Sequence, residues 1–177
     1  MIDREHIIAA VVAAAGGRLI GRVRLQKAVY LLQQLGLKSN FGFEYHHYGP
    51  FSRDLDNAVA DAKAFDLIEE QFERRHSDGA TYSIFTLKNG GEPKPEAYGK
   101  LNAVRVGELT KLFAETSVTV LELAATVDWL YRVEHCHDWE AEIRKRKGLK
   151  VQGGRLDEAI KLLEKLGLAP LTLPIEA

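Results

Sequence analysis

The stretch of sequence that decides the fold runs from Gly21 to Glu70 and reads GRVRLQKAVYLLQQLGLKSNFGFEYHHYGPFSRDLDNAVADAKAFDLIEE. Its apolar residues first recur every three or four positions, then alternate with polar residues, and then return to helical spacing. This order predicts a basic amphipathic helix, a short strand, a Tyr-Gly-Pro-Phe-Ser turn and an acidic amphipathic helix. The stretch contains no recognisable catalytic constellation, so it predicts architecture rather than an activity.

Helices and strands are predicted on both sides of this turn. The apolar spacing favours helices over residues 3–15 and 22–35, ended by glycines that can adopt left-handed conformations. Alternating aromatics predict a strand over residues 43–48. Ser52 is expected to cap a third helix, whose inward stripe would be Leu55, Ala58, Val59, Ala62 and Phe65. Residues 67–73 and 80–87 then read as two strands of a hairpin.

Three helices followed by a hairpin are the linear pattern of a winged-helix domain. We therefore predict a mainly α protein with a small β-hairpin (α+β class), and a winged-helix-like domain over residues 1–89. The segment from Gly90 to Pro95, with two glycines and two prolines, is the expected boundary. Residues 90–177 are predicted as a helical extension packed on the first half, unless the chain forms one single domain.

The helical extension is predicted from caps and apolar stripes. Thr119 and Glu122 have the spacing of a capping box at a helix start. Asp138 is expected to cap a further short helix, and a last helix with a leucine-rich stripe is expected to end at Gly167.

Composition and charge bound the class of protein. The 177 residues are 46% hydrophobic and 28% charged, with a net charge of -1, which is typical of an ordinary globular chain. The balanced charge gives no global attraction to nucleic acid or to an anionic membrane. A single cysteine suits a reducing compartment. The apolar run near the N-terminus is shorter than the about 20 residues of a membrane span, so a cytoplasmic protein is expected.

Candidate chemical sites are few. His135, Cys136 and His137 offer metal donors within three positions, but adjacent residues rarely point at one ion, and a link between two helices explains them more simply. No nucleophile motif and no phosphate-binding glycine loop is present. The sequence therefore predicts no catalytic residue, no metal and no cofactor.

Nucleic-acid binding is the alternative that a winged-helix pattern invites. The third helix, which would enter the major groove, carries Asp54, Asp56 and Asp61 against Arg53 and Lys63. An acidic helix is a poor partner for phosphates. The acid-free basic stretch from Arg18 to Lys38 argues the other way, unless Arg24 or Lys27 faces Asp54 or Asp56 inside the fold. A nucleic-acid-binding regulator is therefore disfavoured but kept as the alternative.

The remaining interpretation is a module that binds a protein partner. Tyr30, Tyr45, Tyr48 and Phe51 surround one rigid Gly-Pro turn, where each aromatic is either core or an interface anchor. The expected partner-binding residues are Tyr48 and Phe51 as anchors, with Tyr30 beside them and with Arg24, Lys27 and Arg53 giving charge complementarity.

Two motifs in this stretch resemble a known group of proteins. Arg24, Leu25, Gln26, Lys27 and Tyr30 match a (K/R)LQK helix motif, and residues 48–52 match a Tyr-Gly-Pro turn that opens another helix. Together they resemble the Panacea or SocA-like antitoxin group. The later segments LELAATVDWLYR and LDEAIKLLEKLGL are most similar to the related YwgA-like proteins.

The resemblance implies a bacterial, non-enzymatic helical domain with a small β-element. Panacea members are associated with toxin neutralisation, and the SocA-like founder with delivery of its toxin to a protease. YwgA-like proteins are largely uncharacterised, and some occur near mobile or defence genes. The implied partner is thus a protein: a toxin, a protease or a defence component.

Overall fold

The computed structural model describes residues 3–88 and 98–171. The first part of the chain contains four helices and five strands among these residues. The helices are α1 (Arg4–Ala14), α2 (Arg22–Gln34), α3 (Arg53–Ala64) and α4 (Ala103–Glu115). The strands are β1 (Arg18–Ile20), β2 (Glu44–His46), β3 (Gly49–Phe51), β4 (Ile68–Arg74) and β5 (Thr81–Leu87). This confirms the mainly α, α+β class with a small β-element.

The strands form two antiparallel sheets. One sheet has three strands in the order β1-β5-β4, and β2 pairs with β3 in a separate hairpin. In the larger sheet, Leu19 lies opposite Phe85 and Glu70 lies opposite Phe85 on its other side. Apart from the hairpin β2-β3 inserted between α2 and α3, the order α1-β1-α2-α3-β4-β5 is that of a winged helix, with β4 and β5 as its wing. The sequence pattern did not predict β1, whose three residues are too few for an alternation to be recognised. It did not predict β3 either, because Gly49 and Pro50 indicated a turn.

The third helix begins and packs as the sequence predicts. The Ser52 hydroxyl accepts a hydrogen bond from the Leu55 N–H at 3.2 Å, which satisfies one of the free donors of the first turn. The inward stripe is buried at Leu55, Ala58, Val59 and Ala62. Phe65 was predicted to join this stripe, and that prediction is wrong. The helix ends at Ala64, and the Phe65 side chain is 66% exposed.

A buried carboxylate joins four elements of this fold. Glu70 of β4 accepts two hydrogen bonds from Arg22 of α2, one from Lys63 of α3 and one from Ser83 of β5, at 2.6 to 3.0 Å. Burial alone would raise the pKa of Glu70, but these hydrogen bonds outweigh it and lower the pKa from 4.5 to about 2. Glu70 is therefore charged at neutral pH and links the sheet to two helices.

The last part of the described chain is helical. It contains α5 (Val118–Asp128), a π-helical turn (Trp129–Val133), α6 (Trp139–Lys147), a 3-10 turn (Gly148–Val151) and α7 (Arg155–Leu166). Asp138 caps α6 by accepting from the Ala141 N–H, and α7 ends at Gly167 in the left-handed conformation, both as predicted. Arg146 pairs with Glu142 one turn earlier at 2.7 Å, the spacing that favours helical ion pairs.

The capping box predicted at Thr119 and Glu122 is not formed. The helix α5 begins at Val118, so Thr119 lies inside it rather than at its cap. The Glu122 side chain is buried and accepts hydrogen bonds from Lys147 and Lys150 at 2.8 to 2.9 Å. The local pattern predicted that the Glu122 carboxylate caps the start of a helix. It forms long-range ion pairs instead.

The chain groups into two compact units, Met1–Val118 and Thr119–Ala177. The helix α4 belongs to the first of them. The predicted boundary segment from Gly90 to Pro95 lies outside the described residues, and the division at residues 89 and 90 stays a prediction. Across residues 3–88 and 98–171, no helix is both long enough and apolar enough to cross a lipid bilayer.

Replacement of Glu70 by glutamine tests the role of this carboxylate. Because its pKa is lower in the folded than in the unfolded chain, Glu70 stabilises the fold above pH 4.5, and this stabilisation is lost as the pH falls toward 2. As the pH is lowered from 4.5 to about 2, the free energy of unfolding should decrease in the wild type and in Glu70→Gln. The decrease should be about 2 kcal/mol smaller in Glu70→Gln.

Urea titrations at a series of pH values measure this difference. Glu69→Gln, which removes the neighbouring exposed carboxylate, is the matched control and should keep the pH dependence of the wild type. Equal pH dependence of Glu70→Gln and the wild type would show that Glu70 does not stabilise the fold through its charge.

Candidate functional site

The candidate site is the small hairpin at residues 44–51, called the aromatic hairpin below. Tyr45 lies opposite Pro50 and His46 lies opposite Gly49, so His47 and Tyr48 form a two-residue turn. Gly49 has a φ of 86°, a left-handed conformation that glycine adopts without strain. Pro50 fits because this two-stranded sheet leaves an edge where its missing N–H costs no ladder hydrogen bond.

Two buried polar side chains of α2 hold the backbone that leaves the hairpin. The Gln26 amide bonds both backbone groups of Ser52: its Nε2 donates to the Ser52 carbonyl and its Oε1 accepts from the Ser52 N–H, each at 2.9 Å. The Lys27 Nζ donates to the Pro50 carbonyl at 2.6 Å, and Lys27 is 2% exposed. Buried polar groups without hydrogen-bond partners destabilise a fold, so these groups must stay paired. The pairing therefore fixes the backbone of residues 50–52.

The outer side of the hairpin presents aromatic rings. Tyr48 is 50% exposed, and its ring meets that of His47 edge-on, with centroids 4.9 Å apart. The ring of His46 stacks on Phe51 with centroids 4.6 Å apart, and His46 also bonds Glu44 at 2.9 Å. These contacts hold the rings in fixed orientations while leaving Tyr48 open to solvent.

The six predicted partner-binding residues divide into an inner and an outer group. Lys27 and Tyr30 are buried, and Tyr30 packs edge-on against Phe43 at 5.1 Å between centroids. Arg24 is half-buried and donates to the carbonyls of Ile20, Ala114 and Thr116. Tyr48 and Arg53 are exposed, and Phe51 is half-buried. Lys27 bonds the backbone of the hairpin and Tyr30 packs beside it, whereas Arg24 bonds carbonyls outside the hairpin. The exposed side chains of the set are those of Tyr48 and Arg53.

The expected pairing of Arg24 with Asp54 or Asp56 is not found among the described residues, where the Arg24 guanidinium donates to backbone carbonyls instead. Asp54 pairs with Arg4 at 3.4 Å and accepts from the Gly42 N–H. Asp56 accepts from Gln26 at 3.0 Å. Gln26 was missed as a support residue, although its position among the apolar residues of α2 was a signal, because a polar side chain on a buried face requires a partner.

Most of the basic stretch from Arg18 to Lys38 is used inside the fold. Arg22 pairs with Glu70, Arg24 caps carbonyls, and Lys27 is buried under Pro50. Arg18 and Lys38 are exposed. Two exposed cations at the ends of the stretch do not make a continuous basic surface.

A second cluster of ionisable groups lies among α5, α6 and the 3-10 turn. Glu122 and Lys147 are both nearly fully buried and bond at 2.9 Å, and Lys150 adds a second cation. Burial lowers the pKa of Lys147, although the hydrogen bond that Lys147 donates to Glu122 opposes this shift. A lysine with a lowered pKa can act as a nucleophile, but this one is closed off from solvent, so the cluster is structural.

His135, Cys136 and His137, considered as metal donors in the sequence and set aside, are not among the side chains that lie close enough to share an ion within the described residues. There, the donor side chains close enough to share an ion are Asp3, Glu5 and His6 at the start of α1. These are surface residues, and exposed acidic groups of this kind are common without any ion.

The role of Gln26 as the support of the hairpin is testable by truncation. Gln26→Ala leaves both backbone groups of Ser52 without their buried partners, so we expect the free energy of unfolding to fall by about 2 kcal/mol. Gln34→Ala on the same helix, where no such bond is broken, should change it by less than about 0.5 kcal/mol. Equal effects of the two changes in urea titrations would contradict this role.

Comparison with known proteins gives two relatives. The chain is 24% identical over 170 residues to the uncharacterized protein YwgA of Bacillus subtilis, covering 92% of this chain and 96% of YwgA. It is 32% identical over 138 residues to a Thermus aquaticus protein named DNA ADP-ribosyl glycohydrolase, covering 73% of this chain. Only 35% of that protein is matched, so the chain spans about a third of its length.

No protein-family model matches the chain. The similarity to YwgA extends over nearly the full length of both proteins, and it supports a YwgA-like relationship.

Proposed function

We propose that this chain is a non-enzymatic protein-binding module, antitoxin-like or proteolytic-adaptor-like, that covers or delivers a protein partner. The observation that carries the proposal is the aromatic hairpin, in which a half-exposed Tyr48 stands on a turn held from below by Gln26 and Lys27. The resemblance to the Panacea or SocA-like group supports the same role.

The hairpin has the physical properties of an interface anchor. Tyrosine and arginine are enriched among the residues that dominate binding energies, because they bury large areas at a small cost in conformational entropy. A turn that is already rigid loses little freedom when a partner binds. Tyr48 would provide the apolar contact, Phe51 would extend it, and the exposed Arg53 would give charge complementarity at its edge.

The partial match to a much longer protein also supports a module. About a third of the Thermus aquaticus protein corresponds to this chain, whereas the match to YwgA covers 96% of YwgA, so the matching segment occurs in proteins of different length. The activity in that protein's name is not required of the matching segment. The three buried carboxylates of the described residues, Glu70, Glu122 and Asp128, are each paired with cations.

A nucleic-acid-binding regulator is the alternative. Two observations disfavour it: three of the basic residues between Arg18 and Lys38 are used internally, and α3 carries more acidic than basic residues. Affinity for phosphates depends on cations that are free to replace counterions.

Removal of the hairpin anchors tests the proposed function. We expect Tyr48→Ala and Phe51→Ala each to weaken capture of a protein partner by about tenfold or more, because an anchor of this type contributes about 2 kcal/mol when buried. The measurement is quantitative mass spectrometry of proteins retained at high salt by the tagged chain in its native cell, against the wild type.

Phe72→Ala is the matched control, since Phe72 is an exposed aromatic of the wing rather than of the hairpin. A partner retained by the wild type and by Phe72→Ala but lost by the hairpin variants supports the proposal. Equal retention by all three folded variants, with unchanged helical circular dichroism, removes the hairpin as the binding site.

Two assays with DNA separate the alternatives. We expect no release of ADP-ribose when the purified chain is incubated with ADP-ribosylated DNA, and no retention on duplex DNA or heparin at low salt. Release of ADP-ribose would establish an enzyme. Retention that disappears as salt rises would instead favour the nucleic-acid-binding regulator.

A further inference from the structure

Among the residues that the structure describes, no element covers the outward side of α3. The exposed residues along it are Arg53, Asn57, Ala60, Asp61 and Ala64, and the helix is followed directly by the exposed Phe65. Small side chains in the middle of this face let another helix approach closely. A large apolar ring and charged groups lie toward its ends.

The charges of α3 fall into two classes. Asp54 is paired with Arg4, Asp56 with Gln26, and Lys63 with Glu70. The side chains of Arg53 and Asp61 form no hydrogen bond or ion pair within the described residues. They are opposite in sign and eight residues apart, which corresponds to about 12 Å along a helix.

When a second copy of α3 lies antiparallel to the first, the positive charge on each helix lies opposite the negative charge on the other. We propose that α3 is a self-association surface, on which a second copy of this chain docks antiparallel about a two-fold axis. The axis passes beside Asn57, midway between positions 53 and 61. Arg53 of each copy then meets Asp61 of the other, so one contact is made twice, as in any isologous interface.

The apolar part of the face agrees with this arrangement. Ala60 lies next to the axis, where the two backbones come closest. Phe65 of each copy then lies toward the N-terminal end of the partner helix, two residues after the half-buried Phe51. The 66% exposed ring of Phe65 thus gains an apolar neighbour from the second copy.

The inference goes beyond the proposed function and does not depend on it, although Arg53 belongs to both surfaces. One helix face is small compared with the interfaces of permanent dimers. The expected dimer is therefore reversible, with a dissociation constant on the order of micromolar, and it weakens as salt screens the ion pairs.

Charge reversal on the full chain tests this surface without any partner present. Sedimentation velocity from about 1 to about 300 µM gives the dissociation constant of the dimer. Arg53→Glu and Asp61→Arg should each weaken the dimer by about tenfold or more, because each places two like charges opposite one another. The double variant Arg53→Glu with Asp61→Arg restores both pairs with reversed signs and should return to within about threefold of the wild type.

Two further variants make the result specific. Phe65→Ser should weaken the dimer, whereas Arg18→Glu, which reverses an exposed charge far from α3 in sequence, should leave it unchanged. A wild type that stays monomeric over the whole range overturns the inference. So does a dimer that is insensitive to the single charge reversals, or that the double variant fails to restore.

Discussion

A buried lysine side chain constrains the position of the aromatic hairpin. Lys27 lies in the interior of the first unit, where an isolated charge is strongly unfavourable. Its Nζ donates to the Pro50 carbonyl at 2.6 Å. This hydrogen bond fixes the distance between α2 and the Gly49–Phe51 strand of the hairpin. Gln26, one residue earlier, fixes Ser52 in the same way. The position of the hairpin is thus set by polar groups that tolerate only one backbone geometry.

The same physical solution occurs elsewhere in the chain. Glu70 in the first unit and Glu122 in the second are buried carboxylates, each held by two cations that belong to other elements of the same unit. Breaking such a pair leaves a buried charge without a partner, which is more costly than the net stabilisation given by the intact pair. These contacts therefore define which elements meet more than they add to overall stability.

The sequence predicted what is encoded locally and failed where a distant group intervenes. The helices, the Ser52 and Asp138 caps and the wing strands follow from spacing and capping chemistry, and they are found within a residue or two. Glu122 has the local spacing of a capping box, but two lysines from α6 and its following turn bind it instead. The strand β1 is three residues long and exists only because β5 pairs with it.

The candidate site shows the same division. Tyr48 and Phe51 could be identified from an aromatic turn with Gly and Pro, which is a local signal. The inward roles of Lys27 and Tyr30 could not, because a basic or aromatic residue on an amphipathic helix reads equally as surface or core. Lys27 and Tyr30 are buried because the Pro50 carbonyl and the Phe43 ring lie next to α2. That placement is part of the tertiary structure and has no local signal in the sequence.

Ser52 belongs at once to the hairpin support and to the first turn of α3, since its backbone bonds Gln26 and its hydroxyl receives the Leu55 N–H. No flexible residue separates the two elements. A molecule that displaces the backbone at position 52 also changes the free energy of the start of α3. Thermodynamic linkage makes such an effect reciprocal. The hairpin support and the first turn of α3 therefore share one hydrogen-bonded residue, which is itself fully buried.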